Sequence, residues 1–148
     1  MFRQTVHALF VAGLMVAAVT PAAAQQAPSA VALYKDPNCG CCEDYAGYLR
    51  EQGFAVTVTP TDDVAGMSRK AGIPEDFQGC HLAFIADYAV SGHVPMSVIQ
   101  RLLDERPAIK AITLPGMPMG SPGMAGVKEE PFTVYQVGEG APEVYAVE

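Results

Sequence analysis

Positive charge is scarce in this 148-residue chain: nine Lys and Arg stand against sixteen Asp and Glu, for a net charge of −7. So acidic a balance disfavours nucleic acid and anionic membrane surfaces as partners and is compatible with cations. Long apolar runs are missing as well. The apolar stretch Ala8 to Val19 is too short to span a bilayer. No twin-arginine pattern is present, which favours the general secretion route over export of a folded, metal-loaded protein. No repeat of roughly 20 to 50 residues is visible, so a solenoid or propeller is not indicated.

The amino-terminal stretch has its own logic. Arg3 supplies a short positive region, Ala8 to Val19 an apolar one, and Ala22-Ala23-Ala24 a small-residue cleavage site before Gln25. Residues 1–24 therefore read as a secretory signal peptide, with no membrane insertion after cleavage. The mature chain of 124 residues keeps eight Lys and Arg against sixteen Asp and Glu, a net charge of −8. It is one domain's worth and can bury a core without disulfide staples. Residues 25–30 read as a flexible lead-in.

The residues that carry chemistry are the four cysteines, at 39, 41, 42 and 80. Cys39-Gly40-Cys41-Cys42 lies between a short strand pattern (Val31, Leu33, Tyr34) and a helical one (Tyr45, Tyr48, Leu49). Three thiols thus crowd a loop and the first turn of a helix, where backbone N–H groups lack intrahelical partners and favour negative charge. A thiolate there has a lowered pKa, and the thiolate is both nucleophile and metal ligand. The motif points to thiol redox chemistry, soft-metal binding, or both. An exported protein meets an oxidising space, yet cysteines this close make a poor staple. Cys39 pairs with Cys42 in C-x-x-C spacing, or Cys80 joins any of the three; spacing does not choose.

Along the chain, Val31 to Tyr34 is a strand and Asp36-Pro37-Asn38 a turn. A helix follows from about Cys41 to Gln52, ended by Gly53. Phe54, Val56 and Val58 alternate with Ala55, Thr57 and Thr59 in a half-buried strand stopped by Pro60. Thr61 or Asp62 caps a second helix to about Ala71. After a loop over 73–80 come a strand His81 to Ile85, a turn at Ala86-Asp87 and a hairpin partner Tyr88 to Val90. Pro95 opens a third helix with Val98, Ile99, Leu102 and Leu103 on its apolar face, and Pro107 ends it. The order β-α-β-α-β-β-α predicts an α/β fold: a parallel pair extended by an antiparallel hairpin, as in a thioredoxin-like domain over residues 31–107. Residues 108–148 form an extension. It holds a Pro/Gly-rich loop, Leu114 to Gly126, and two strands, Phe132 to Val137 and Val144 to Val147.

Cys41 is surplus to dithiol–disulfide exchange but not to a metal site, where it adds a ligand or bridges two ions. In a thioredoxin-like fold the loop entering the third strand faces the first-helix motif. That position commonly holds a cis-proline; here it holds Cys80-His81, a fourth thiol facing three. The bland alternative is a core cysteine. His81 and His93 are candidate ligands, although a lone histidine is more often solvated or hydrogen-bonded. Met117, Met119 and Met124 fall in the Pro/Gly loop. Their thioethers are soft donors that select Cu(I), which an all-cysteine zinc site does not need. The alternative is that they pack as gap-fillers.

Together the Cys-x-Cys-Cys motif at 39–42, Cys80-His81, Gly92-His93-Val94-Pro95 and the segments Pro115-Gly116-Met117-Pro118 and Gly120-Ser121-Pro122-Gly123-Met124 resemble the CopG-type copper-resistance proteins of the Gram-negative periplasm. The resemblance runs from about Val31 to Tyr135. It implies a thioredoxin-like domain whose C-terminal extension helps bind metal. It implies copper ions clustered beside the motif and bridged by sulfur, with interconversion of Cu(I) and Cu(II) in support of copper tolerance and export. By position Cys39, Cys41, Cys42 and Cys80 are the sulfur ligands, and Met117 and Met124 match the extension's pattern. Met119 and Ala125 depart from it. The partners expected are copper ions and a periplasmic copper efflux system or copper chaperone, with the protein itself a monomer. Two other functions compete: a thiol–disulfide oxidoreductase using Cys39 and Cys42, and a passive copper carrier. The missing proline beside Cys80 argues against the former.

Overall fold

The computed structural model describes residues 29–148, so the signal peptide and nearly all of the lead-in lie outside the described residues. The elements are β1 (Ala30–Lys35), α1 (Gly40–Glu51), β2 (Ala55–Pro60), α2 (Val64–Lys70), a short 3-10 turn (Glu75–Phe77), β3 (His81–Ile85), β4 (Tyr88–Ser91), α3 (Met96–Glu105), β5 (Ala111–Thr113), β6 (Thr133–Val137) and β7 (Glu143–Val147). The expected order β-α-β-α-β-β-α runs from β1 through α3.

The seven strands make one sheet in the order β2-β1-β3-β4-β5-β6-β7. β1 pairs parallel with β2 and antiparallel with β3, which forms a hairpin with β4. This is the expected parallel pair extended by a hairpin. β5 then joins β4 in parallel, and β6 and β7 continue antiparallel. Two elements escaped the sequence reading, β5 and the 3-10 turn. Both are three residues long, too short for a periodic signal.

Each face of the sheet has its own core. On one, Val31, Leu33, Ala83, Ile85, Val90 and Ile112 pack against Tyr45, Ala46 and Leu49 of α1 and Val98, Ile99 and Leu102 of α3. These helical positions recur at three and four residues, the spacing that puts them on one side of a helix. On the other face, Leu82, Ala89, Ala111 and Val137 pack with Ile73, and Val64, Met67 and Ala71 of the α2 region lean on them. The cap of α2 is Asp63, not Thr61 or Asp62: the Asp63 carboxylate accepts from the Gly66 N–H. Thr61 Oγ1 is instead engaged by the Asp63 N–H, a local turn that competes with capping. α3 begins after Pro95 and ends at Arg106, which takes the left-handed conformation (φ 46°) just before Pro107. Among the described residues no helix is long and apolar enough to cross a membrane.

Candidate metal centre

Three chain segments meet at one end of β1 and β3. The first is the turn into α1. Cys39 stands at the helix N-cap and offers no side-chain cap bond, so the sulfur-bearing first turn keeps its own N–H groups free of a capping side chain. Cys42 is fully buried, while Cys39 and Cys41 are half-buried. A disulfide joins Cys39 to Cys42, and Cys41 and Cys80 are free thiols. Of the pairings the spacing left open, this is the C-x-x-C one.

The second segment carries Cys80 and His81 into β3. A Cβ on Gly79 would collide with the Gly92 backbone, and Gly92 itself sits at φ +76° with no room against the Leu114 carbonyl. Only glycines allow so close a pass. It brings Cys80 against the motif and His93 at once. Cys42 Sγ lies 3.4 Å from Cys80 Sγ, and Cys39 Sγ lies 3.5 Å from Cys41 Sγ. Cys80 Sγ is 3.2 Å from His93 Nε2 and 3.6 Å from His81 Nδ1. Two donor sets result, Cys39, Cys41, Cys42, Cys80 and Cys80, His81, His93, each with its ligand atoms within 4.8 Å of one another. Cys80 belongs to both.

The third segment is the Pro/Gly loop. His93 Nδ1 lies 2.7 Å from the Pro122 carbonyl oxygen. A carbonyl only accepts, so Nδ1 carries the proton and Nε2 turns a lone pair toward Cys80. This is how an outer hydrogen bond orients a ligating imidazole. Next to it, a Cβ on Gly123 would strike the Tyr45 backbone, so the loop lies flat on the start of α1. Met117 and Met119 are exposed and Met124 is half-buried, all on this loop. Met119 folds over Gly126, within the loop itself.

The site is walled on its inner side by buried rings. Tyr45 is wholly buried, its hydroxyl donating to the Val94 carbonyl at 2.9 Å, and its ring centroid is 4.5 Å from that of His81 and 5.2 Å from that of His93. Burial, and next the charge of His93, push the His81 pKa down to about 3. The Gly92 carbonyl pulls the other way, yet His81 Nε2 makes no hydrogen bond. His93 is also lowered, by burial first, with the Pro122 carbonyl opposing. Both rings are therefore held neutral, the form that binds metal. Burial, then the neighbouring Cys41, push Cys80 up to about 12, so a bound cation is what would make its thiolate favourable.

The donors fit a soft metal: four sulfurs and two neutral imidazoles, one of which, His81, leaves its buried Nε2 unpaired. A disulfide sulfur is no thiolate, so the full set is available only once Cys39–Cys42 is opened. Lys35 is the site residue that sequence reading missed. It lies on the same strand face as Val31 and Leu33, and its ammonium reaches under the cysteine turn. The period-two alternation of β1 already placed it inward.

A family model described as a protein of unknown function, DUF411, matches residues 77–124. That span holds Cys80, His81, His93, Met117 and Met124. Two solved structures, titled copper resistance protein CopG, form 2 and form 1, are each 35% identical to this chain. They cover 82% of it and 98% of their own length, with TM-scores of 0.75 and 0.74. No curated protein matches the chain.

Proposed function

Since this chain belongs to the CopG family of copper-resistance proteins, we propose that it binds copper through Cys39, Cys41, Cys42, Cys80, His81 and His93 and interconverts Cu(I) and Cu(II) in the periplasm. Copper is here the cargo. The observation that carries this reading is the convergence of both donor sets on Cys80. Sulfur-rich donors favour Cu(I), and a set with two imidazoles also suits Cu(II). One site thus offers ligands to both oxidation states.

The chain's own residues have separable tasks. Closing Cys39 and Cys42 from two thiols to the disulfide releases two protons and two electrons, enough to take two Cu(II) ions to Cu(I). Cys80 shares its sulfur between the outer and inner donors. His93, fixed by the Pro122 carbonyl, presents Nε2. Tyr45 closes the inner wall to water. Met117 and Met124, on the loop anchored at Pro122 and Gly123, close over the sulfurs from outside. Residues 1–24 direct export and are removed, residues 31–107 form the thioredoxin-like body, and 108–148 supply the lid. The mature protein acts as a monomer and passes copper to an efflux system or chaperone.

The test is anaerobic copper loading of the reduced mature protein, with metal analysis and electron paramagnetic resonance before and after mild oxidation. Several copper ions per chain and a reversible signal are expected. Cys39→Ser should lower the stoichiometry sharply; unchanged binding would refute the assignment. The Cys39–Cys42 disulfide favours one other reading, thiol–disulfide exchange. In that case metal-free protein would reduce insulin and Cys41→Ser would keep the activity. Copper handover with no change of oxidation state would mark a passive carrier.

A further inference from the structure

Two buried hydroxyls interrupt an otherwise apolar core. On the α2 side of the sheet, β4 presents Ala89 and then Ser91, and β5 presents Ala111 and then Thr113, each two residues further along its strand. The core on this side is built of Ile73, Leu82, Ala89, Ala111 and Val137. Ser91 and Thr113 are fully buried and pair with each other across β4 and β5. A buried hydroxyl without a partner costs stability, and an alanine or a valine would fill either place without that need.

Both hydroxyls turn to the segment that delivers Cys80. Thr113 Oγ1 donates to the Phe77 carbonyl. Ser91 Oγ accepts from the Gly79 N–H at 2.8 Å. Among the described residues its own proton has one acceptor, the His81 carbonyl at 3.4 Å, which also accepts from the Gly92 N–H at 3.3 Å. Gly79 and His81 are the chain neighbours of Cys80. One side chain thus holds the main chain immediately before and immediately after the sulfur-bearing residue. This segment needs holding: residues 77–81 contain no proline, and the glycine that the close pass at 79 demands leaves the backbone free to turn. The Cys80 sulfur so placed lies 3.4 Å from Cys42 Sγ, 3.2 Å from His93 Nε2 and 3.6 Å from His81 Nδ1. Ligand sets of this kind must be held to within about 0.5 Å, and only a fixed backbone lets one sulfur serve both sets.

We propose that Ser91 is a positioning residue of the metal centre: its hydroxyl clamps the main chain on both sides of Cys80 and so sets the reach of that sulfur to Cys42 and to His93. The inference rests on the copper reading for the role of Cys80 as a ligand.

The experiment titrates anaerobic, fully reduced mature protein with Cu(I) in competition with bicinchoninate, whose copper complex is coloured. Ser91→Ala should bind Cu(I) about tenfold more weakly than wild type, the low end of what loss of an outer partner does to a metal site. Leu102→Ala, which loosens the core on the other side of the sheet and leaves residues 77–81 alone, should bind within about twofold of wild type. Cys80→Ser should be weakened at least as far as Ser91→Ala. In the Cys80→Ser background Ser91→Ala should add no more than about twofold, because it acts through that sulfur. Wild-type binding by Ser91→Ala, an equal loss in Leu102→Ala, or the full loss repeated on top of Cys80→Ser would each overturn the proposal and leave the copper reading standing. A Cys80→Ser protein that binds like wild type would instead remove Cys80 from the metal centre, and the copper reading at this sulfur would fall together with the proposal. Should Ser91→Ala fail to fold, Thr113→Val cuts the neighbouring anchor at the Phe77 carbonyl with little change of shape and is judged by the same cycle.

Discussion

His81 makes the metal-free protein sensitive to acid in a way that can be calculated. Its side chain is fully buried on β3, packed on Tyr45 and His93, with Nε2 unpaired. Burial, and next the His93 charge, lower its pKa to about 3 from the ordinary 6.5. Between these values the unfolded chain binds a proton that the native chain refuses, so stability rises with pH across the window. The contribution is fully present above pH 6.5 and drains away as the pH falls toward the folded pKa. Relative to pH 7, the loss from this one ring is about 2 kcal/mol at pH 5 and about 3 kcal/mol at pH 4. Domains of this size have roughly 5–15 kcal/mol in all, so the effect is visible. Urea unfolding of chelator-treated protein at pH 7, 5 and 4 measures it, with His81→Leu as reference. The variant should lose about 2 kcal/mol less than wild type between pH 7 and pH 5. Parallel losses in the two proteins would refute the reasoning, because titrating carboxylates are common to both.

Three further outcomes follow from the packing. Gly79→Ala must force a Cβ into the Gly92 backbone; a loss of about 1–3 kcal/mol is expected, read as a lower urea midpoint, and an unchanged midpoint would contradict the close pass. Leu102→Ala empties a fully buried site on α3 and should cost about 2–5 kcal/mol while copper stoichiometry, measured by metal analysis, stays as in wild type. Replacing Met117 and Met124 together by Leu should weaken Cu(I) binding more than zinc binding in competition titrations; equal losses would mean that the loop only packs.

Much of this architecture was legible in the residues. The alternation of Phe54, Val56 and Val58, the stripe Val98, Ile99, Leu102 and the punctuation by Gly53, Pro95 and Pro107 all mark elements that are present, within a residue or two. The expectation that Cys80-His81 would face the Cys39–Cys42 motif is matched by Cys42 Sγ lying 3.4 Å from Cys80 Sγ and 3.6 Å from the Cys80 carbonyl oxygen. What was not legible depends on tertiary approach. Ala111–Thr113 is a strand because β4 and β6 flank it, not because three residues have a period. The Asp63 cap turns on which of three polar neighbours engages the others. Glycines 79 and 92 look like ordinary loop residues until their backbones are seen in contact. Lys35 was legible in principle, by its parity with Val31 and Leu33, but a charged residue at a strand end is ordinarily read as solvated.

The bond from His93 to the loop ends on a main-chain oxygen, that of Pro122. The information that orients this imidazole is therefore stored in the path of the chain and not in the identity of any side chain. Point replacement at 122 leaves the acceptor in place so long as the backbone holds. Shortening or lengthening the Pro118–Met124 stretch by one residue carries the oxygen away. Position 122 should thus tolerate substitution where the stretch around it does not tolerate insertion or deletion, the reverse of what surface loops usually permit.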